Sequence, residues 1–405
     1  MLNTKNSLLF LFSIFPVSIL IGNLPINSLT IIISLIFLVS LLSRKVLFEN
    51  ENKIFYLLIF FFISLLINLA FSNDFYLSLP RIIKVFFLIF FVTSFKYLIV
   101  NSTPRQISKI YKVWSIILAI VIIDLLVEYF KGTNILGLSS MMPGRRLGSF
   151  TGQESVIGNY FYGFALITLS YIYQNFSNQN FLNLFFAIFF IVISFIIGER
   201  ANFIKTFIII SYFIFFIYNF ELKQKIFSLL GLISLITLFL NFSESYKTRY
   251  FNQTKDLFQK NGISKYLDNS QYGAQYNVAK EIFKDNLIFG AGIKNFRVEN
   301  YNKKYEKLDH KKNHLRIATH PHQVHYEFLS ETGVFGYFCF LIFMITSILW
   351  SIKSYLKNKN IYQLSGILFI IMSILPLLPT GSFLSTYTSS IFWLNYAIMV
   401  GYIKN

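Results

Sequence analysis

Mostly apolar stretches, each near the length a helix needs to cross a bilayer, recur from one end of the chain to the other. They cover roughly 7–22, 26–42, 54–71, 82–100, 110–129, 156–174, 181–198, 202–220, 226–241, 324–350, 362–379 and 388–403. In lipid the backbone can be satisfied only within helices or a closed barrel, and segments of this length are helical. The expected fold is an all-α integral membrane protein with about twelve transmembrane helices. Composition leaves little room for a soluble alternative. Charged residues make up 13% of the chain, against about 25% in soluble domains. Forty-nine phenylalanines exceed what one soluble core of this size could hide. The first apolar segment follows Lys5 and has no small-x-small cleavage site, so it reads as a retained helix and not as a signal peptide. Cys339 is the one cysteine, so no disulfide can form within the chain.

One interval interrupts the pattern. The expected organisation is nine spans over 1–241, a long loop over 242–323, and three spans over 324–405. An even number of spans puts both termini on one side. With the N-terminus inside, inside segments carry fourteen Lys or Arg. Short outside loops and their edges carry seven: Arg81, Lys84, Lys131, Arg145, Arg146, Arg200 and Lys205. The long loop does not vote, because long loops translocate largely regardless of charge. Both termini are thus expected in the cytoplasm, with the long loop facing the periplasm. The net charge of +18 is then explained by orientation signals and an anionic substrate, and nucleic acid is not an expected partner.

All five histidines lie at the end of that loop: His310, His314, His320, His322 and His325. An ionisable cluster where a chain enters the bilayer suggests a functional site. Imidazole is the side chain best matched to proton transfer near neutral pH. Three readings are open. His322 can act as a general base towards a hydroxyl. The cluster can hold a metal, although the surrounding charges are largely basic. Or the residues form an ordinary surface loop. If a helix runs unbroken from Pro321, then His322, Tyr326, Leu329, Gly333 and Gly336 share a face, while Glu327 and Glu331 lie on another.

Basic residues gather in the other loops expected outside. Arg145 and Arg146 stand in a glycine-rich loop between Lys131 and Ser155, and could grip phosphate bidentately. Arg200 sits between two apolar runs with almost no loop, where a charge needs a partner such as Glu199 or a function. Asp124 and Glu128 are the main acids buried in spans outside the histidine region. Gln271 to Asp285 carries Tyr272, Tyr276, Ala279, Ile282 and Phe283 at helical spacing, which suggests an amphipathic helix on the outer ends of the spans.

His322-Gln323, nine residues, Gly333, two residues and Gly336 resemble the signature of the O-antigen ligase family, which O-antigen polymerases share. Arg145-x-x-Gly148-x-Phe150 is similar to a segment that the family carries before its sixth helix. Arg200 resembles the arginine at the family's seventh-to-eighth helix junction, with Ile204 where the family has leucine. Asp285-Asn286-Leu287 departs from the family's Asp-Asn-Pro.

The resemblance implies a glycosyltransferase that moves a glycan from undecaprenyl pyrophosphate to a sugar hydroxyl on the periplasmic face of a bacterial inner membrane. The acceptor would be lipid A core for a ligase, or a second lipid-linked glycan for a polymerase. His322 and Arg200 are then the expected catalytic residues. Arg145, Arg146, Arg81, Lys84, Arg297, Arg316, His320 and Gln323 are expected to bind pyrophosphate or glycan. Gly333, Gly336 and Glu331 are expected structural members of the motif. Membrane lipids are the other expected partners, the reaction is expected to be inverting, and neither a metal nor a cofactor is expected. Protein O-glycosylation is a smaller alternative, and a polysaccharide transporter or flippase is the rival of another class.

Overall fold

The chain is all-helical among the described residues, and eight of its helices are long and apolar enough to cross a membrane. The computed structural model describes residues 4–46, 53–154, 156–242, 244–252, 255, 257, 261–376 and 378–403. Ser155, Ser243, most of 253–260 and Lys404, which fall within segments considered above, lie outside them.

The first half contains α1 (Thr4–Ile21), α2 (Asn23–Leu42), α3 (Lys53–Ala70), α4 (Phe75–Asn101) and α5 (Pro104–Lys131). It continues with α6 (Ile157–Asn175), α7 (Asn180–Ile197), α8 (Arg200–Tyr212) and α9 (Leu222–Phe242). The short helices of the next interval include α10 (Gly262–Asp268) and α11 (Gln271–Asp285). The chain ends with α12 (Val324–Asn358), α13 (Ile361–Ser373) and α14 (Thr386–Gly401).

Each of the twelve expected spans overlaps a helix, although the one expected over 362–379 is helical only to Ser373. α13 and α14 are shorter than a full span, with 13 and 16 residues, and α8 reaches span length only with the π-helical turn Phe213–Ile217 that continues it. Both α6 and α14 lie at the centre of the bundle, where every residue of α14 from Ser389 to Gly401 is buried. Small residues let these inner helices close on each other. Gly366 faces the backbone of Met399, and Gly163 faces Ile391 and Asn395. Polar side chains in such helices bond within the bundle. Ser347 pairs with Tyr396 at 2.8 Å, and Gln363 donates to the Met399 carbonyl at 3.1 Å.

The helix after the histidines departs from the unbroken form. It begins at Val324, not Pro321, because Gln323 caps it: its side-chain oxygen accepts from the N–H groups of His325 (2.6 Å) and Tyr326 (3.3 Å). His322 stands outside the helix, with φ +56°. α12 then breaks at Gly333, at φ +63° and ψ −168°. The freed backbone groups bond to segment 287–292. Ala291 and Gly292 donate to the carbonyls of Ser330 and Glu331, and Val334 and Phe335 donate to those of Leu287 and Ile288. A break in a membrane helix is tolerated where its backbone groups find such partners. A Cβ on Gly333 would lie 2.3 Å from the Ile288 carbonyl oxygen. Gly333 thus admits a loop and not a neighbouring helix, and a Cβ on Gly336 would meet the side chain of Thr332 in its own helix. The shared face of His322, Gly333 and Gly336 does not form.

Candidate active site

Three segments converge on the histidines, each anchored by identifiable bonds. The loop after α5 is held by two buried carboxylates one turn apart. Asp124 accepts from the Ile135 N–H and the Ser149 hydroxyl, at 2.8 and 2.6 Å. Glu128 accepts from the N–H groups of Gly148 and Ser149, at 3.0 and 2.6 Å. Leu147 N–H donates to the Ile197 carbonyl at 3.0 Å, which lays the loop on the end of α7. Arg145 points to solvent and Arg146 is half-buried, with its Nε buried and unpartnered.

The helical extension after α9, residues 244–252, is fastened to the same end of α7. Tyr246 and Tyr250 donate their hydroxyls to the carbonyls of Ile196 and Phe195, at 2.6 and 3.1 Å, and both rings pack on Phe195. This sets Arg249 beside Arg146 and Arg200. Burial, then the like charges of Arg146 and Arg200, draw the Arg249 guanidinium down to about 10, against the opposing pull of Tyr250 and Glu199. Glu199 is the carboxylate of this group. Burial raises its pKa, while Arg146, Asn202, the Gly158 N–H and Arg249 hold it down. Its oxygens accept from Asn202 Nδ2 at 2.6 Å and Gly158 N–H at 3.2 Å. Arg200 donates to the Arg249 carbonyl at 3.4 Å and interacts with the Tyr266 hydroxyl.

The third segment brings His320 and His322, whose ring centroids are 4.0 Å apart. Thr380 N–H donates to the His322 carbonyl at 2.8 Å. Tyr272 of α11 places its ring edge-on to His322 at 5.6 Å. Burial first, and then the charge of Arg146, depress the His322 pKa, so the ring is neutral near pH 7 and can accept a proton. His320 lies well below its ordinary value through burial, followed by His322 and Lys294, with Thr380 opposing and Arg297 adding to the shift. Its Nε2 is buried without a partner.

The histidine pair therefore stands between two basic groups. Arg146, Arg249 and Arg200 form one, around Glu199. Arg81, Lys84, Lys294 and Arg297 form the other, around Glu331 and Glu327. Lys294 bonds Glu327 at 3.5 Å and also Ser382, while Glu327 accepts from Phe383 N–H at 2.9 Å. Lys84 Nζ and Arg297 Nε are buried and unpartnered.

Several sequence-based assignments take a different place. Arg146 is the arginine that lowers the His322 pKa, and Arg200 bonds the Arg249 carbonyl and interacts with Tyr266. Arg316 bonds the Asn313 carbonyl in the preceding turn. The oxygen of Gln323 is committed to its cap, which leaves the buried, unpartnered Nε2 as the group free for a ligand. The other histidines are apart. His325 is held by Tyr337 and the Ile374 carbonyl, His310 by Leu267 and Lys312, and His314 is exposed. Among the described residues no group of three or more His, Cys, Asp or Glu is arranged to hold a metal ion. Sequence reasoning missed Arg249, which sits in a mixed-charge stretch where only the flanking tyrosines hint at an anchor.

These features define a multi-pass all-α membrane protein with a basic, histidine-centred site at the ends of its helices. Residues 184–341 match the family model described as O-antigen ligase, so this stretch of the chain is similar to that family. His322, Gly333 and Gly336, which carry the resemblance, lie inside that match. The match includes Arg200, Arg249 and both central histidines; Arg146, Arg81 and Lys84 fall outside it. No curated protein matches the chain.

Proposed function

We propose that the protein transfers a glycan from undecaprenyl pyrophosphate to a sugar hydroxyl, at the periplasmic face of a bacterial inner membrane, with both termini in the cytoplasm. The observation that carries this reading is the His322 ring, paired with His320 and near a guanidinium cluster that has one half-buried carboxylate, Glu199, and the buried, unpartnered Nε atoms of Arg146 and Arg249. Such donors, fixed in a low-dielectric site, favour an anion with strong acceptor oxygens.

In the proposed reaction the acceptor hydroxyl attacks the anomeric carbon and gives its proton to His322. The bond from that carbon to the pyrophosphate oxygen breaks. The leaving pyrophosphate gains negative charge, which Arg146, Arg249 and Arg200 stabilise, so the arginines supply the positive charge without a metal. Direct attack from the opposite face inverts the anomeric centre. Lipid A core as acceptor makes the protein a ligase, and a second lipid-linked glycan makes it a polymerase. The same donor chemistry serves both.

Proteoliposomes containing the purified protein and labelled lipid-linked glycan provide the test. The expected result is a new glycosidic bond to an added acceptor, lost in His322→Ala. Movement of label across the bilayer without a new bond would make the protein a transporter.

A further inference from the structure

We propose that Tyr266, Tyr272, Tyr276 and Tyr326 form a stacking wall for the pyranose rings of the glycan that reacts at His322. This rests on the transferase reading above and adds to it the part of the substrate that the basic residues do not explain.

The four tyrosines are half-buried and contiguous. Tyr266 on α10 interacts with Arg200. Tyr272 on α11 stands edge-on to His322. Tyr276, one turn further, has its ring 6.4 Å from that of Tyr272 with 23° between planes. It stacks on Tyr326 of α12 at 4.7 Å and 19°. Lys280 sets its amine 5.8 Å from the Tyr326 ring centroid.

The row is not the buried seam of its helix. α11 was expected to bury the face bearing Tyr272 and Tyr276. The buried residues are instead Gly273, Ala274, Gln275, Val278, Ala279 and Ile282, which leaves the two tyrosines at the margin. A line of rings thus runs from the arginine cluster, past the catalytic imidazole, to a lysine. The ligand that follows this line must present C–H faces to aromatic rings and hydroxyls to phenolic tips and an amine. A pyranose chain does both. A lipid tail suits this line less well, because the row has charged groups at each end, Arg200 beside Tyr266 and Lys280 beside Tyr326. The ring faces not spent on the Tyr276–Tyr326 stack offer negative charge to such C–H groups, and the phenolic rims offer partners to hydroxyls.

The test uses the full-length protein in nanodiscs and Tyr276, which contacts neither His322 nor an arginine. Lipid-linked glycan is extracted from the cells that make the protein, and mild acid releases its water-soluble glycan, free of lipid and pyrophosphate. Titration calorimetry then measures binding of that glycan. Wild type, Tyr276→Phe and Tyr276→Trp are expected to bind alike, and Tyr276→Leu about tenfold more weakly. In transfer assays Tyr276→Leu is expected to raise KM about tenfold with little change in kcat. Varying donor at fixed acceptor, and then the reverse, shows which glycan occupies the wall. His322→Ala is expected to keep glycan binding and lose transfer. If it keeps transfer, the transferase mechanism fails while the wall stands. Wild type that does not bind the free glycan, or a folded Tyr276→Leu protein that binds it as wild type does, overturns the wall.

Discussion

Gly198 and Arg145 meet so closely that a methyl group on the glycine would lie 2.2 Å from the arginine's carbonyl oxygen. Gly198 also holds φ +82°, which side-chain-bearing residues rarely adopt. The junction of α7 and α8 and the loop that carries Arg146 are therefore built as one unit. Gly198→Ala is expected to destabilise the protein by about 1–3 kcal/mol and to push the loop outward. Transfer should fall by more than the folded fraction does, since Arg146 moves while His322 remains. Thermal melting in detergent, set beside transfer rates, checks both effects. Wild-type transfer in Gly198→Ala would show that the loop's position is immaterial.

The pH profile should report His322. Burial and Arg146 both disfavour the imidazolium, so the folded pKa lies below the ordinary 6.5. The competent form is neutral. Activity is then retained above pH 6.5 and lost as pH falls through the lower folded value, which puts the acid limb of kcat/KM below 6.5. Removing the neighbouring cation in Arg146→Ala should raise the imidazole's pKa and move that limb upward, towards 6.5. The same change should lower kcat by about 10²–10³ through loss of a donor to the leaving group. An acid limb that does not move in Arg146→Ala would separate the two residues.

The two histidines nearest the start of α12 should behave differently. His322 offers a neutral ring to the site, and His322→Ala is expected to lower transfer by about 10²–10⁴ with near-normal stability. Both ring nitrogens of His325 are occupied, by the Tyr337 hydroxyl at 3.0 Å and the Ile374 carbonyl at 2.7 Å. His325→Ala should therefore cost about 1–3 kcal/mol of stability while the correctly folded fraction keeps its kcat. Melting temperature and single-turnover transfer, measured on both variants, separate a chemical role from a structural one.

Much of this arrangement is written in local pattern. Apolar runs mark every helix from α1 to α14 that was expected to span, and the His–Gln and Gly-x-x-Gly spacing marks the site's centre. What local pattern does not carry is the pairing of distant backbone. The break at Gly333 depends on segment 287–292 arriving to take its freed N–H and carbonyl groups, and helical periodicity extrapolated straight through it. The same extrapolation put His322 on a helix face, whereas the cap formed by Gln323 starts the helix two residues later. Arg249 carries no distinctive neighbourhood in sequence, because its place is set by two tyrosine hydroxyls bonded to carbonyls some fifty residues away. Charge alone drew attention to Arg200, but it cannot tell which arginine influences the imidazole.

Asp124 and Glu128, buried acids that a transport reading would have used for ions, are instead committed to backbone N–H groups and one hydroxyl of the arginine loop. Both hold the backbone of the loop that carries Arg146. Glu128→Gln replaces one acceptor oxygen with a donor facing the N–H groups of Gly148 and Ser149, and should cost about 1–3 kcal/mol in stability. If it acts through Arg146, it should lower kcat in the wild-type background and add almost nothing on top of Arg146→Ala. Effects that act through one group are non-additive in this way, and independent ones sum. The cycle of Glu128→Gln, Arg146→Ala and the double variant, measured as kcat on folded protein, therefore distinguishes the two. Full additivity would make Glu128 a stability residue with no part in placing the guanidinium.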